Sequence, residues 1–137
     1  MALAYLVDTS VLTRLAQPSV RAAVEPLAAR GEAGRTTISD LEVGFSARDE
    51  EDWARLSAAL AEFGSVEITP ADVHRALDVQ RLLARRRLRG RKVPDLLVAA
   101  AAERAGLAVL HYDRDFDLIA GVTRQECRWI VDRGSIP

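Results

Sequence analysis

The sequence is poor in several things at once, and each shortage closes a class of function. It has one cysteine, Cys127, so neither an intrachain disulfide framework nor a cysteine zinc cluster can form. A reducing compartment, the cytoplasm, is the expected location. Aromatic residues make up only 5% of the chain, and the longest unbroken apolar run, Leu96 to Ala102, is far short of the roughly 18 residues a membrane span needs. No membrane association is expected. The segment Met-Ala-Leu-Ala-Tyr-Leu-Val has no basic start and meets Asp8 at once, which speaks against an export signal. Charge of one sign is lacking too: the net charge is -1, so any nucleic-acid binding must rest on a local patch. No Gly-rich phosphate loop, internal repeat or domain linker is visible.

What remains is the composition of an ordinary folded domain, 49% hydrophobic and 28% charged over 137 residues, a length that favours a single core. Leu3 to Val7 is apolar without alternation, as expected of a strand covered on both faces of a parallel sheet. Val11, Leu12 and Leu15, then Val20, Ala23, Val24 and Leu27, predict two short helices before a break at Gly31 and Gly34. Arg35 to Ile38 reads as a second strand. Ser39-Asp40-Leu41-Glu42 reads as a capping box opening a helix to about Arg48.

From Glu50 to Phe63, the residues Trp53, Leu56, Leu60 and Phe63 fall on one helical face. Val66 to Thr69 predicts a third strand, and Thr69-Pro70-Ala71-Asp72 the capped start of a long helix that fades in the arginine-rich stretch around Gly90. Pro94 opens an almost wholly apolar core helix to Glu103, stopped by Gly106. Ala108 to His111 is the next strand, followed by a turn at Asp113-Arg114-Asp115, a short helix with Phe116, Leu118 and Ile119, and a final strand within Cys127 to Val131. Strands alternating with helices in this way predict an α/β sandwich with a mainly parallel central sheet.

In such sheets, ligands bind beyond the carboxyl ends of the strands. Asp8 follows the first strand, Glu42 lies one turn into the helix after the second, and Asp113 and Asp115 follow the strand ending at His111. Asp95 opens a helix that starts at the same edge. Carboxylates about 4 Å apart repel by roughly 4 kcal/mol at an effective dielectric near 20, so such a group must take up protons or hold a cation. All the donors are oxygens and neither histidine has a zinc-like partner, so a hard cation, Mg²⁺ or Mn²⁺, is expected over zinc. Each acid also has an ordinary explanation: Asp8 as a helix cap, Asp95 as an acid at a helix start, Asp113 and Asp115 as an Asx turn, Glu42 as the partner of Ser39.

Four segments carry a resemblance: Leu6-Val7-Asp8-Thr9-Ser10, Ser39-Asp40-Leu41-Glu42-Val43-Gly44, Pro94-Asp95-Leu96-Leu97-Val98-Ala99 and Tyr112-Asp113-Arg114-Asp115-Phe116. In order and spacing they resemble the acidic motifs of PIN-domain ribonucleases, in particular VapC-type toxins of toxin–antitoxin pairs. The resemblance implies a three-layer α/β/α sandwich over residues 1–137 and metal-dependent endonucleolytic cleavage of RNA that inhibits growth. It further implies neutralisation by a VapB-type antitoxin, with the chain in a homodimer or a toxin–antitoxin hetero-oligomer. Asp8, Glu42, Asp95 and Asp113 would hold the metal, with Asp115 binding a second ion or positioning water. A hydroxyl of Thr9 or Ser10 would stand near the phosphate or the metal's water shell, N-capping being the other reading of both.

Six of the eight residues from Arg85 to Lys92 are basic. Arg85, Arg86, Arg87, Arg89, Arg91 and Lys92 are therefore the expected RNA-backbone contacts, with Gly90 as a flexible break and a solvated helix end as the alternative. His74, His111, Cys127 and Trp129 are assigned no chemistry, the last two being expected in the core. Two other functions compete: a phosphatase using Asp8 as nucleophile, which wants an aspartate where this chain has Ser10, and a decayed PIN domain that only binds, which would have lost one or more acids.

Overall fold

The computed structural model describes residues 2–89 and 91–137, in which strands and helices alternate as β1 (Tyr5–Val7), α1 (Thr9–Leu12), α2 (Pro18–Ala29), β2 (Ala33–Thr36), α3 (Thr37–Phe45), α4 (Glu50–Leu60), β3 (Gly64–Val66), α5 (Pro70–Arg85), α6 (Val93–Ala105), β4 (Ala108–His111), α7 (Asp115–Thr123) and β5 (Cys127–Trp129). Every strand pairing is parallel, and the order across the sheet is β3-β2-β1-β4-β5. β1 is therefore central, and the chain runs outwards from it on both sides. The expected three-layer sandwich is what forms.

Successive strand residues point to opposite faces, and that alternation builds two cores. Leu6 and Val109 face one side with Val66, where α5, α6 and α7 cover them with Leu83, Val98, Ala101, Phe116 and Ile119. Val7 and Leu110 face the other, with Val11, Val20, Val24, Val43, Leu60 and Phe63 from the first four helices and the turn after α4. Each core holds ten or more buried apolar residues, and burial of a Val, Leu, Ile or Phe is worth about 1.5–3 kcal/mol. The alanine run of α6 lets that helix lie close on the sheet; Ala101 and Ala102 have no exposed surface.

Strand limits depart from the sequence reading at two glycines. Gly34 does not break the chain but sits within β2, where an added Cβ would come within 3.0 Å of Leu3 Cδ1, 3.1 Å of Val66 Cγ2 and 3.2 Å of the Gly64 carbonyl oxygen. The second strand therefore begins at Ala33 rather than Arg35, and its neighbour β3 begins at Gly64 rather than Val66. Close approach of three segments, invisible to hydrophobic periodicity, is what those glycines serve.

The shift of β2 also moves the start of α3. Its cap is Thr36, whose hydroxyl accepts from the Ser39 N–H at 3.3 Å. Ser39 is thus a helical residue and not a cap, so the expected Ser39–Glu42 capping box does not exist. The box expected at Thr69 and Asp72 does form, in both directions, and Asp72 also takes the Arg104 guanidinium, tying α5 to α6. Among the described residues no helix is long and apolar enough to cross a membrane.

Candidate active site

The site follows from strand order. β1 and β4 are neighbours although most of the chain separates them, so the turns after them lie side by side at the carboxyl edge of the sheet. The Asp8 N–H donates to the Leu110 carbonyl at 2.9 Å and carries the pairing one residue past β1. The Asp8 side chain then turns inward, accepts from the Ser10 N–H at 3.0 Å and caps α1. Asp8 is only 3% exposed. Burial pushes its carboxyl above the usual range, hydrogen bonds from Ser10 and the Thr9 N–H pull it back, and the charge of Glu42 pushes it up again.

Asp95, Asp113 and Asp115 form the tightest group, each offering one oxygen within 4.8 Å of the others. Asp95 arrives in the first turn of α6, where Pro94 fits a position with no free N–H to lose. Asp113 accepts from the Asp115 N–H at 2.9 Å, and its own N–H donates to His111 Nδ1 at 3.2 Å. Burial, then the charges of Asp8, Asp113 and Asp115, push the Asp95 carboxyl up to about 7 against the pull of Lys92. For Asp113 burial also raises the value, but the Lys92 ammonium and the Asp115 N–H outweigh it and hold it below the usual range.

Lys92 changes the reading of this cluster. Its ammonium lies 2.7 Å from Asp113, 3.3 Å from Asp115 and 3.6 Å from Asp95, standing as a tethered cation among the three. It was expected on RNA with the neighbouring arginines; the fold places it on the acids instead. Even so, Asp95 Oδ2 is buried and has no hydrogen-bond partner. The Lys92 ammonium faces this same oxygen at 3.6 Å, beyond hydrogen-bond reach, and a buried carboxylate oxygen without a donor costs on the order of 1–3 kcal/mol, so the atom has capacity for a closer ligand. Three clustered carboxylates, one orphaned oxygen and a lysine in the place of a cation fit a hard divalent ion.

Glu42 is exposed and lies outside the trio. Having no Ser39 cap to serve, it receives the Thr9 hydroxyl at 2.7 Å, and Ser39 Oγ lies 2.9 Å from that same Thr9 oxygen. Thr9 thus joins α1 to α3, and Glu42 acts on the site through Asp8. Ser10 Oγ accepts from the Tyr112 N–H at 2.8 Å, stitching the turns after β1 and β4 together. Both hydroxyls hold the acidic turns in place.

Sequence reasoning missed His111 and Ser39. His111 has no exposed surface, its ring stacks on Phe116 at 5.0 Å, and burial pushes its pKa down to about 4, leaving a neutral ring whose Nδ1 is free to accept from Asp113. Its place at the end of β4, two residues before an acid, was the available signal. Of the basic stretch, Arg85 ends α5, Arg86 caps it and Arg87 takes the left-handed φ of 57°. Arg85, Arg86, Arg87, Arg89 and Arg91 are exposed, none pairs with a carboxylate among the described residues, and Gly90 lies outside those residues.

Comparison with known proteins agrees with this architecture. The PIN domain family model matches residues 5–122. The chain is 62% identical to Ribonuclease VapC51 of Mycobacterium tuberculosis over 136 residues, covering 99% of each, and 42% identical to Ribonuclease VapC21 of that organism over 133 residues, covering 96% of each. VapBC2 from Rickettsia felis, solved bound to a DNA fragment from its promoter, has the same fold with a TM-score of 0.76 at 16% identity, covering 93% of this chain and 98% of that one.

Two outcomes test the electrostatics. Because the folded pKa of Asp95 lies above its unfolded value, its contribution to stability is present below about pH 4 and is lost as pH rises through about 7. In metal-free protein, Asp95→Asn should therefore raise the melting temperature more at pH 8 than at pH 5, by thermal unfolding of both proteins across that range; an equal shift at both would contradict the raised pKa. Lys92→Met, which removes the tethered cation, should lower metal-free stability while tightening Mg²⁺ binding several-fold in calorimetric titration. Weaker Mg²⁺ binding would make Lys92 a helper of the ion and not its stand-in. The four-motif acidic edge, the sheet order and the full-length similarity place the chain in the PIN-domain family, in its VapC branch.

Proposed function

We propose that the protein is an endoribonuclease toxin that cleaves RNA phosphodiester bonds with a divalent cation, Mg²⁺ in the first instance, held at the carboxyl edge of the sheet. The observation that carries this is the buried Asp95 oxygen that no hydrogen bond satisfies, facing the Lys92 ammonium at 3.6 Å beside two further carboxylates. The full-length likeness to VapC51, named a ribonuclease, supports RNA as the substrate. A phosphatase centred on Asp8 is not favoured: that carboxylate is buried and committed to capping α1.

When bound, a divalent cation lowers the pKa of a coordinated water and offsets charge on the phosphate oxygens. Asp95, Asp113 and Asp115 are the side chains that would hold it, with Asp8 beside them. Glu42, fixed by Thr9, supplies further negative charge at the edge, and Asp115 is suited to orienting water. Ser10 and His111 keep the turns carrying Asp8 and Asp113 at their separation, Ser10 by accepting from the Tyr112 N–H and His111 by accepting from the Asp113 N–H. The arginines from Arg85 to Arg91 lead into α6 beside Asp95, and their unpaired charge suits a track for the phosphate backbone.

A VapB-type antitoxin is the proposed partner, as in the VapBC2 assembly that shares the fold. Part of the apolar face that runs from Trp53 to Phe63 is core, since Leu60 and Phe63 are buried. What remains uncovered is Trp53 at 52% exposure, laid against Gly44 of α3, together with Leu41 and Phe45 one turn apart on that helix at 67% and 92%. Three large apolar side chains left in water on adjoining helices mark a surface that is covered in the assembly.

Two experiments test the reading. The purified protein should cleave total RNA in Mg²⁺ and stop in excess EDTA, and Asp95→Asn should fold yet cut at least a hundredfold more slowly; full activity in EDTA would defeat the metal mechanism. Phe45→Asp should keep RNA cleavage but lose the antitoxin on co-expression and pull-down. Undiminished capture would move the interface elsewhere.

A further inference from the structure

A second feature adjoins the acid cluster at Asp113. Here the turn after β4, the start of α7 and the last residues of the chain enclose a cavity of about 460 Å³, lined by Arg14, Tyr112, Asp113, Arg114, Trp129 and Arg133. Asp113 belongs both to this cavity and to the acid cluster, so the two adjoin. The volume lies in the range of small-ligand sites, roughly 300–1,000 Å³.

Its walls are prearranged. Tyr112 Oη donates to the Ile136 carbonyl at 2.7 Å and accepts from the Gly134 N–H at 2.9 Å and the Ile136 N–H at 3.2 Å, which pins the chain end as a wall. Arg14 lies over the Tyr112 ring at 4.9 Å while donating to the Ser10 and Pro137 carbonyls, so its charge is fixed at the rim. Arg133 lies over the Trp129 ring at 5.7 Å, and that ring meets Tyr112 edge-on at 5.4 Å. Trp129, expected in the core, is only partly buried and contributes to this wall.

The charge balance is what points to a ligand. Arginines elsewhere in the fold are in part matched, as Arg35 with Asp40, Arg75 with Glu103 and Arg104 with Asp72, while those of the Arg85–Arg91 stretch are not. Arg114 and Arg133 make no ion pair with a carboxylate among the described residues, and the one acid in the lining, Asp113, is already engaged by Lys92. Two unmatched guanidinium groups line one hollow, with that of Arg14 held beside them, in a chain whose net charge is -1. Planar guanidinium groups suit phosphate oxygens, to which they donate in pairs, and aromatic walls suit a nucleobase.

We propose that this cavity is a nucleotide subsite of the substrate RNA, in which Arg114 and Arg133 hold the phosphate next along the strand from the one cleaved and Arg14 adds fixed positive charge. The proposal rests on the nuclease reading for its substrate. It makes the flank of the cut, on the Asp113 side, a determinant of binding that is separate from the Arg85–Arg91 stretch.

The test uses the full chain without metal, in EDTA, binding a fluorescein-labelled single-stranded RNA dodecamer of mixed sequence by anisotropy at several salt concentrations. The Arg114→Gln/Arg133→Gln double variant changes two exposed side chains for which the structure shows no hydrogen bond, so its melting temperature should match wild type. Binding at low salt should weaken at least tenfold, and the salt slope should become shallower by about 0.7 for each lost phosphate contact. Neutralising Arg85, Arg86, Arg87, Arg89 and Arg91 in a second variant should leave the loss caused by the double variant intact. RNA binding and salt slope unchanged in Arg114→Gln/Arg133→Gln overturn the proposal, and so does a loss confined to capture of the co-expressed antitoxin, which would give the cavity to a protein partner. Cleavage assayed separately in Mg²⁺ keeps the two readings apart. Wild type that binds RNA through these arginines yet cuts nothing leaves the subsite standing and removes the nuclease. Wild type that cuts, with a double variant that binds and cuts equally well, does the reverse.

Discussion

Repulsion among carboxylates gathered at one edge of a parallel sheet is the constraint to which the rest of this molecule answers. Strand order brings the turns after β1 and β4 together, and α6 adds Asp95 from its first turn. At an effective dielectric near 20, each contact between two such charges costs roughly 4 kcal/mol, comparable to a good part of a domain's whole stability. The fold meets this by partly protonating Asp95, by inserting the Lys92 ammonium, and by holding the turns with bonds that do not depend on charge, such as Ser10 to Tyr112 and His111 to Asp113. The two buried cores fix the backbone that keeps the acids from relaxing apart. A divalent ion, as proposed for this site, would relieve the same repulsion more completely.

Those elements whose cause lies in local sequence were legible from it. The parallel sandwich followed from apolar runs alternating with amphipathic or buried helices, and Thr69-Pro70-Ala71-Asp72 opened α5 as its residue types demand. Asp8, Asp95, Asp113 and Asp115 were readable because a position just past a strand, or at the start of a helix, already fixes an edge of the sheet. What escaped has a cause in packing between distant segments. Gly34 looks like a break, but it is needed where Leu3, Val66 and Gly64 crowd one point of β2. Ser39 looks like a cap three residues ahead of Glu42, but the strand ends earlier and Thr36 takes that role. Lys92 looks like the last member of a basic run, but the turn into α6 swings it onto the acids.

That error over Ser39 changes how Glu42 is understood. As a capping residue it would have faced its own helix, with a local reason to exist. Released from that duty, it is exposed on α3 and held by Thr9 from α1, so its charge acts on Asp8 across the gap between two elements. An acid in this position puts its charge on the edge of the sheet rather than on its own helix.

The same helix links the acid edge to the proposed partner surface. Glu42 stands between Leu41 and Phe45 within one turn of α3, and both apolar neighbours are in water. A chain seated on Leu41, Phe45 and Trp53 is therefore within a turn of an acid that acts on Asp8, and it can influence the site without any change in the sheet. The subsite proposed at Arg14, Arg114 and Arg133 shares Asp113 with the acid cluster, whereas Leu41, Phe45 and Trp53 line no part of it. If both proposals hold, a partner seated on α3 need not compete for the phosphate-binding arginines to control cleavage; altering the charge balance of the carboxylates through Glu42 is enough.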